Sequence, residues 1–198
     1  MRVLLVGALA LETLPVCRRL GLPPRRRLSR GPWRGLELGV LRCGVGPDRA
    51  RRRSEEALRG FDADLVVSLG TCGSLVGHEV GSVLRLGSVR DGEGPPQSVG
   101  EGVAGVTVRR GVFDPVERDR LAGQGSEVVE MEAYAVWQAA AGRPFAALKV
   151  VSDRASSPPK LLAFALGAWR ICSHALAPAI EDLVIFETER LRGASKSR

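Results

Sequence analysis

Two carboxylates interrupt a stretch of the sequence that otherwise has the composition of buried protein. Glu130 and Glu132 flank Met131 in "VVEMEAYAVW", which then continues with apolar residues at helical spacing. Because burial of an unpaired carboxylate is costly, core segments normally avoid it. The stretch is therefore either the exposed start of a helix or a place where a ligand binds.

Three other segments put chemically distinctive residues directly after predicted strands. Glu12 follows the apolar run "RVLLVGALA", "GTCGS" follows "DLVVSL", and Ser152 and Asp153 end "PFAALKVVSD". Each has an ordinary explanation as well. Glu12 and Asp153 suit helix capping positions, and "GTCGS" suits a tight turn that lacks the Gly-Lys-Ser/Thr ending of a phosphate loop.

The elements that must position these residues alternate between strand and helix along the chain. Buried runs such as "DLVVSL" are apolar on both faces, which is typical of strands in a sheet covered by helices. The pattern predicts one α/β domain over residues 1–192 with a largely parallel or mixed sheet, and a disordered tail at 193–198. In such sheets ligands bind at the carboxyl ends of the strands. "LPPRRRLSRGPW" is predicted to be an exposed connection.

Composition argues against several classes of protein. No apolar run is long enough to span a bilayer, and "MRVLLVGALALE" suits a first strand better than a secretory signal because Glu12 follows at once. The four cysteines are widely spaced within apolar segments, which predicts reduced thiols and a cytoplasmic protein. The net charge of +7 comes from arginines scattered along the chain without interleaved aromatic residues, which does not favour nucleic-acid binding.

Taken together and in order, these segments resemble the nucleoside phosphorylase and nucleosidase superfamily. The likeness is greatest to the methylthioadenosine/S-adenosylhomocysteine nucleosidases and the futalosine hydrolases. The segments that carry it are "VGALALE", "CGVGPDRA" (Gly-x-Gly-x-x-x-Ala), "SLGTCGSL", "VVEMEAYAV" (Val-Glu-Met-Glu-Ala) and "VSDRA" (Ser-Asp), and they extend from residue 1 to about residue 180. The resemblance implies a three-layer α/β/α fold with a central mixed, largely parallel twisted sheet of the nucleoside phosphorylase type.

The resemblance also implies roles for the acidic residues. Glu132 would accept hydrogen bonds from the 2′ and 3′ hydroxyls of a ribose, with charge-assisted strength. Asp153 would be the general acid at purine N7, and Glu12 would position and deprotonate the attacking water. Nearby carboxylates would stabilise an oxocarbenium-like transition state.

The remaining candidate residues would shape the pocket. By resemblance, Met131 packs against the sugar and Ser152 donates a hydrogen bond beside Asp153. Phe113 either stacks on the purine or is an ordinary core residue, and Glu130 either supports the site or faces solvent. The pocket would be lined mainly through backbone by Thr71, Cys72 and Gly73. Cys72 is not expected to be a nucleophile, because no histidine lies near it in sequence.

The expected activity is hydrolysis of the N-glycosidic bond of a 5′-modified purine nucleoside. A phosphorylase is the first alternative, since Arg25 to Arg27, Arg42 or Arg49 could bind phosphate; a non-catalytic nucleoside-binding module is the second. A glutamate at position 12 would repel phosphate and favour water. We expect no cofactor and no metal, no nucleic-acid or membrane partner, and a homodimer or higher homo-oligomer. The chain is shorter than typical members between about residues 89 and 106 and between 113 and 130, so the 5′ substituent is not assigned.

Overall fold

The computed structural model describes residues 1–156 and 161–196, and within them the chain alternates strands and helices as predicted. The strands are β1 (Arg2–Gly7), β2 (Leu28–Trp33), β3 (Leu36–Arg42), β4 (Leu65–Ser74), β5 (Val83–Asp91), β6 (Gln97–Ser98), β7 (Val103–Thr107), β8 (Val128–Glu130) and β9 (Phe145–Asp153). The helices are α1 (Ala10–Arg19), α2 (Pro47–Phe61), α3 (Pro115–Gly123), α4 (Ala133–Ala140), α5 (Leu161–Ile171) and α6 (Ala177–Lys196). A π-helical segment, Cys172–Leu176, joins the last two helices.

The strands form one mixed sheet in the order β2-β3-β1-β4-β8-β7-β5-β6. Strand β9 lies outside this order and pairs with both β4 and β5. The pairings β4–β8, β8–β7, β7–β5, β5–β9 and β9–β4 therefore close five strands into a ring. Closure removes free edges from this part of the sheet, because every strand of the ring is paired on both sides.

Helices cover both faces of the sheet, which confirms the predicted three-layer α/β/α fold with a central mixed sheet. Alternate side chains of β1 point to opposite faces. Val3 and Leu5 pack with α1, the π-helical segment and α6, whereas Leu4 and Val6 pack with α2 and α4. Because both faces are covered, the central strands are apolar throughout, as "RVLLVG" shows.

Two parts of the chain differ from the prediction. Within the expected exposed connection, residues 28–33 form β2, which pairs antiparallel with β3. Pro32 is tolerated there because β2 is an edge strand with one unpaired side. Helix α6 continues to Lys196 and includes four of the six residues predicted as a disordered tail, while 197 and 198 lie outside the described residues. Leu191 of α6 still packs against the core, which supports helix up to this end.

Parallel pairing brings the chemically distinctive segments to one edge of the sheet. β1, β3, β4 and β9 run in the same direction, so their carboxyl ends lie side by side. The residues that follow or end them are Ala8 to Glu12, Cys43 to Gly46, Thr71 to Ser74, and Ser152 with Asp153. This edge is where a ligand site is expected in an open α/β sheet.

Candidate active site

A cavity of about 300 Å³ opens at this edge of the sheet. The ten residues that the sequence predicts for the site all line it, although they are scattered from position 12 to position 153. They are Glu12, Thr71, Cys72, Gly73, Phe113, Glu130, Met131, Glu132, Ser152 and Asp153. The rest of the wall is apolar or glycine: Ala8, Leu9, Val45, Val108, Gly111, Val112 and Val129.

Glu12 lies in the first turn of α1 and its carboxylate is buried and fully hydrogen-bonded. Oε2 accepts the N–H groups of Ala8 at 2.9 Å and Leu9 at 2.8 Å, so the side chain caps the helix as well. Oε1 accepts the N–H of Thr71 at 2.9 Å and its hydroxyl at 3.1 Å. A carboxylate offers about four acceptor positions, so these four donors occupy them. Of the four, only the Thr71 hydroxyl can rotate away and yield its place.

Gly70 is required for this arrangement. A Cβ atom at Gly70 would lie 2.8 Å from Oε1 of Glu12, and the residue has φ of +149°, which side chains rarely adopt. The glycine therefore lets the β4 backbone approach the carboxylate closely, so that the N–H of Thr71 reaches it.

Glu132 is the carboxylate with a free acceptor oxygen. It stands at the N-cap position of α4, and its Oε1 accepts the N–H of Gly46 at 2.8 Å. The other oxygen, Oε2, has no hydrogen-bond donor among the described residues. Burial, and next the charge of Glu130, raises the pKa of Glu132 to about 7, although Lys149 and the Gly46 N–H oppose this. We therefore expect the carboxyl group of Glu132 to ionise when a ligand donates a hydrogen bond to it.

Glu130 is buried and its carboxylate is engaged by protein groups. Oε2 accepts the N–H groups of Glu132 at 2.9 Å and Ala133 at 2.7 Å, and it pairs with Nζ of Lys149 at 2.9 Å. Oε1 accepts the hydroxyl of Thr107. Of the two alternatives for Glu130, exposure to solvent is excluded, because the side chain is buried and binds the backbone N–H groups of Glu132 and Ala133.

Lys149 is fully buried in the middle of β9. Burial alone would lower the pKa of Lys149, but Glu130 and then Glu132 outweigh it, so the pKa is raised and the ammonium stays charged. The positive charge partly compensates three carboxylates, since Glu12 also acts on it. Lys149 thus allows several acidic groups to be buried around one cavity.

Asp153 ends β9 and is half-buried, with both oxygens accepting a hydrogen bond. Its Oδ2 lies 2.8 Å from Oγ of Ser152, and its Oδ1 accepts the N–H of Ala155 at 2.8 Å. Ser152 Oγ is also within 3.1 Å of the carbonyl oxygen of Cys72. The side chain is held in one orientation from both sides, at the end of the cavity formed by β9.

The wall of the cavity offers apolar and aromatic surface. Phe113 packs its ring against Gly111, where a Cβ would come within 2.6 Å of the ring, and 39% of its surface is exposed. Phe113 is therefore not an ordinary core residue, which was one of the two alternatives for it. Cys72 is buried, and burial raises the pKa of its thiol to about 12, which keeps it protonated at neutral pH.

The cavity is acidic: no arginine or lysine is among the described residues that line it. Of the arginines considered for phosphate binding, Arg42 donates to the carbonyl oxygen of Arg25 at 3.2 Å, outside the cavity. Arg49 lines a second, neighbouring cavity instead.

Within residues 1–156 and 161–196, no group of His, Cys, Asp and Glu side chains is arranged to hold a metal ion. No helix in the described part of the chain is long and apolar enough to cross a bilayer.

Three residues that hold the site together were not predicted from the sequence. Lys149, Thr107 and Gly46 position Glu130 and Glu132 through the contacts given above. A signal exists for Lys149, because a single lysine inside the apolar strand "FAALKVV" must have a buried partner. No such signal marks Thr107, whose partner lies 23 residues away. Gly46 belongs to the Gly-x-Gly-x-x-x-Ala segment of the resemblance, but its role is not evident there because its partner lies 86 residues away.

Three solved structures of similar fold are named as nucleosidases or as a futalosine hydrolase. The chain is similar to the futalosine hydrolase of Helicobacter pylori, with a TM-score of 0.82 and 15% identity over 93% of this chain and 97% of the other. It is similar to the 5′-methylthioadenosine nucleosidase of Arabidopsis thaliana, with a TM-score of 0.81 and 18% identity over 93% and 95%. It is also similar to the S-adenosylhomocysteine nucleosidase of Streptococcus pyogenes in complex with 5-methylthiotubericidin. The TM-score is 0.80, and the identity is 18% over 92% of this chain and 97% of the other.

These likenesses establish the fold as that of the nucleoside phosphorylases and nucleosidases. A search of curated proteins finds no significant sequence match. The family model of the Phosphorylase superfamily matches residues 2–120, which is more than half of the chain. The chain belongs to the Phosphorylase superfamily, as the resemblance in its sequence predicted. The matched range includes Glu12 and Thr71 but ends before the segments that carry Glu132 and Asp153.

Proposed function

We propose that the protein is a purine nucleosidase that hydrolyses the N-glycosidic bond of a 5′-modified purine nucleoside. One observation carries the proposal. Glu12, Glu132 and Asp153, which are remote in sequence, line one cavity, and each is held by different protein donors. The relatives of similar fold support it, since they are named as nucleosidases and a futalosine hydrolase.

Glu132 is the residue we assign to the sugar. Its Oε1 is occupied by the N–H of Gly46, Oε2 has no donor among the described residues, and the residue lines the cavity. Vicinal hydroxyl groups can both donate to one ionised carboxylate. Ribose binding would therefore supply the hydrogen bonds that this buried group lacks, and Met131 beside it offers apolar contact to the sugar.

Asp153 is the residue we assign to the base. When the bond between C1′ and N9 breaks, its electron pair moves into the purine, and a proton delivered to N7 neutralises the leaving group. Asp153 would deliver that proton from its protonated carboxyl group, with Ser152 and the N–H of Ala155 fixing its direction. Phe113 on the wall provides an aromatic surface for the base.

Glu12 is the residue we assign to the water. An attacking water needs an acceptor for its proton, and Oε1 becomes available when the Thr71 hydroxyl rotates away. The water then adds to C1′ and loses a proton to Glu12, so that the products are free base and free sugar. The carboxylates around the cavity would stabilise the positive charge that develops on the sugar.

Hydrolysis is favoured over phosphorolysis by the charge of the cavity. Phosphate would have to enter a space lined by Glu12, Glu130, Glu132 and Asp153, without an arginine or lysine among its described lining residues. Phosphorolysis remains the second candidate because Arg49 and Arg109 line the neighbouring cavity.

Incubation with a panel of nucleosides, with and without phosphate, tests the proposal. Methylthioadenosine, adenosylhomocysteine, futalosine, inosine and adenosine would be followed by release of the free base. We expect release from at least one 5′-modified nucleoside in phosphate-free buffer, with one equivalent of reducing sugar. Release that requires phosphate would identify a phosphorylase, and no release from any compound would leave a binding module as the better explanation.

The homodimer or higher homo-oligomer stays a prediction of the resemblance, and the cytoplasmic location stays a prediction from the cysteines. Sedimentation of the purified chain at micromolar concentration checks the first. A monomer at that concentration would contradict it.

A further inference from the structure

The fold gathers arginines that are scattered along the sequence. Strand β2 pairs antiparallel with β3, so the residues before β2 lie against the carboxyl end of β3. The N–H of Arg42 donates to the carbonyl oxygen of Arg27 at 2.7 Å, and its guanidinium group donates to the carbonyl oxygen of Arg25 at 3.2 Å. Arg42 therefore lies beside the exposed run of arginines at 25–27, at one corner of the sheet.

Helix α2 adds three more arginines at the same corner. Arg53 donates to the carbonyl oxygen of Cys43, the first residue after β3, at 2.8 Å. A Cβ atom at Gly44 would lie 3.1 Å from Nη1 of Arg53 and 3.5 Å from Cδ of Arg49. Residues i, i+3 and i+4 share one face of a helix, so Arg52 lies beside them. We call the seven residues the arginine face: Arg25, Arg26, Arg27, Arg42, Arg49, Arg52 and Arg53.

The positive charge of the arginine face is not balanced within the described chain. Five of its side chains are exposed, and their guanidinium groups have neither a hydrogen bond nor an ion pair among the described residues; they are Arg25, Arg26, Arg27, Arg49 and Arg52. Residues 22–36 include no acidic residue. In α2, Asp48 and Glu55 pair with arginines outside the face, which leaves Glu56. Because like charges repel one another, an external anion would be bound favourably here.

The chemistry of the arginine face favours phosphate groups in a regular row. A guanidinium group binds phosphate through two parallel hydrogen bonds. The segments that form the face, residues 22–32 and 42–53, contain no aromatic residue, whereas proteins that bind single strands stack bases on aromatic side chains. Val45 is the one exposed large hydrophobic residue in these segments, so they lack the apolar face that binds a membrane surface. A nucleic acid duplex, with about one negative charge per 1.7 Å, can supply a phosphate to each unpaired arginine.

We propose that the arginine face binds the phosphate backbone of a nucleic acid duplex, independently of base sequence. The expectation of no nucleic-acid partner came from arginines scattered along the sequence, whereas the fold brings seven of them together. The inference goes beyond nucleoside hydrolysis and does not depend on it, since six of the seven arginines line neither cavity.

Fluorescence anisotropy of a labelled duplex of mixed sequence tests the proposal with the full chain. If each of the five unpaired arginines contacts one phosphate, log affinity plotted against log salt has a slope of about −4.5. The affinity should then fall about 500-fold between about 50 and 200 mM salt. The combined variant Arg26→Gln, Arg27→Gln and Arg52→Gln should make the slope shallower by about 2.7, because three phosphate contacts are lost.

Two further variants separate the arginine face from net charge and from folding. Arg110→Gln, Arg170→Gln and Arg192→Gln together remove the same charge from exposed positions outside the face, and they should leave the slope unchanged. Lysine in place of arginine at positions 26, 27 and 52 keeps the charge, and this variant should keep most of the slope. Thermal unfolding shows that each variant is folded.

Three results would overturn the inference. One is no binding of the duplex at about 50 mM salt with protein at about 10 μM, where even non-specific binding is expected. Another is an equal change of slope in the glutamine variant of the face and in the control, which would show that net charge alone is responsible. The third is tighter binding of a single strand, an acidic peptide or an anionic vesicle than of the duplex, which would assign the face to that partner.

Discussion

Replacement of Asp153 by Asn separates the chemistry of this side chain from its structural role. In Asp153→Asn, Oδ1 can still accept the N–H of Ala155, and the new amide can donate to Oγ of Ser152, which retains the carbonyl oxygen of Cys72 as an acceptor. Both contacts made at 2.8 Å are kept. We therefore expect the free energy of unfolding to change by less than about 1 kcal/mol.

The amide cannot deliver a proton to purine N7. General acid catalysis contributes about 10²- to 10⁴-fold in rate, which is about 3–5 kcal/mol of transition-state stabilisation. We expect kcat to fall by this factor while KM changes by less than about threefold, because the amide still fills the same space. Base release followed by absorbance gives both parameters, and thermal unfolding gives the stability.

Two control variants define what counts as a specific effect. Ser152→Ala removes one contact to Asp153 but keeps the carboxyl group, so a smaller loss in kcat of about tenfold is expected. Asp91→Asn changes an exposed aspartate at the end of β5 and should have no effect. Equal losses in kcat and affinity for Asp153→Asn, or an unchanged kcat, would refute the assignment of Asp153 as the acid.

Three further predictions concern the buried groups. Burial raises the pKa of Glu132 to about 7, so its contribution to the free energy of unfolding is present below its ordinary pKa of 4.5 and is lost as the pH rises through 7. The affinity of the protein for the ribose of a nucleoside should change in the opposite direction. Calorimetry should show this affinity falling about tenfold per pH unit below pH 7. Lys149→Met should cost about 3–5 kcal/mol in urea unfolding, because Glu130 loses its buried partner. Because burial raises the pKa of Cys72 to about 12, iodoacetamide at pH 8 should leave it unmodified in the native protein by mass spectrometry.

Each of these has a variant or outcome that contradicts it. Glu132→Gln should abolish the pH dependence of ribose binding, so a dependence that survives would come from another group. Adding Glu130→Gln to Lys149→Met should recover part of the lost stability, since it removes the unpaired charge; a further loss would show that the ion pair is not the cause. Rapid modification of native Cys72 would mean that its thiol is not buried.

The sequence predicts the layers of the fold because helix and strand periods are local properties. The apolar run "DLVVSL" and the helical spacing after Glu132 indicate their elements without knowledge of any partner. The ring formed by β4, β8, β7, β5 and β9 was not predicted, because strand order depends on pairings between distant residues. β2 was missed for a related reason, since Pro32 and Gly31 are typical of a connection and are tolerated only because the strand lies at an edge.

The site was predictable to the extent that carboxylates at strand ends are unusual. Glu12, Glu132 and Asp153 stand out by residue type and position, and the resemblance to a family supplies their roles. The hydrogen bonds that each carboxylate accepts were not predictable, because the donors come from distant parts of the chain. Glu12 is fully hydrogen-bonded through Thr71, which is 59 residues away, and Glu132 retains a free oxygen because only Gly46 reaches it.

A structure with a bound C-nucleoside analogue of adenosine tests the central claim most directly, because its carbon–carbon glycosidic bond cannot be hydrolysed. We predict that both sugar hydroxyls donate to Glu132, that Asp153 lies within hydrogen-bond distance of the purine atom at position 7, and that a water contacts Oε1 of Glu12. An analogue bound outside this cavity, or one whose sugar hydroxyls contact none of these carboxylates, would contradict the account.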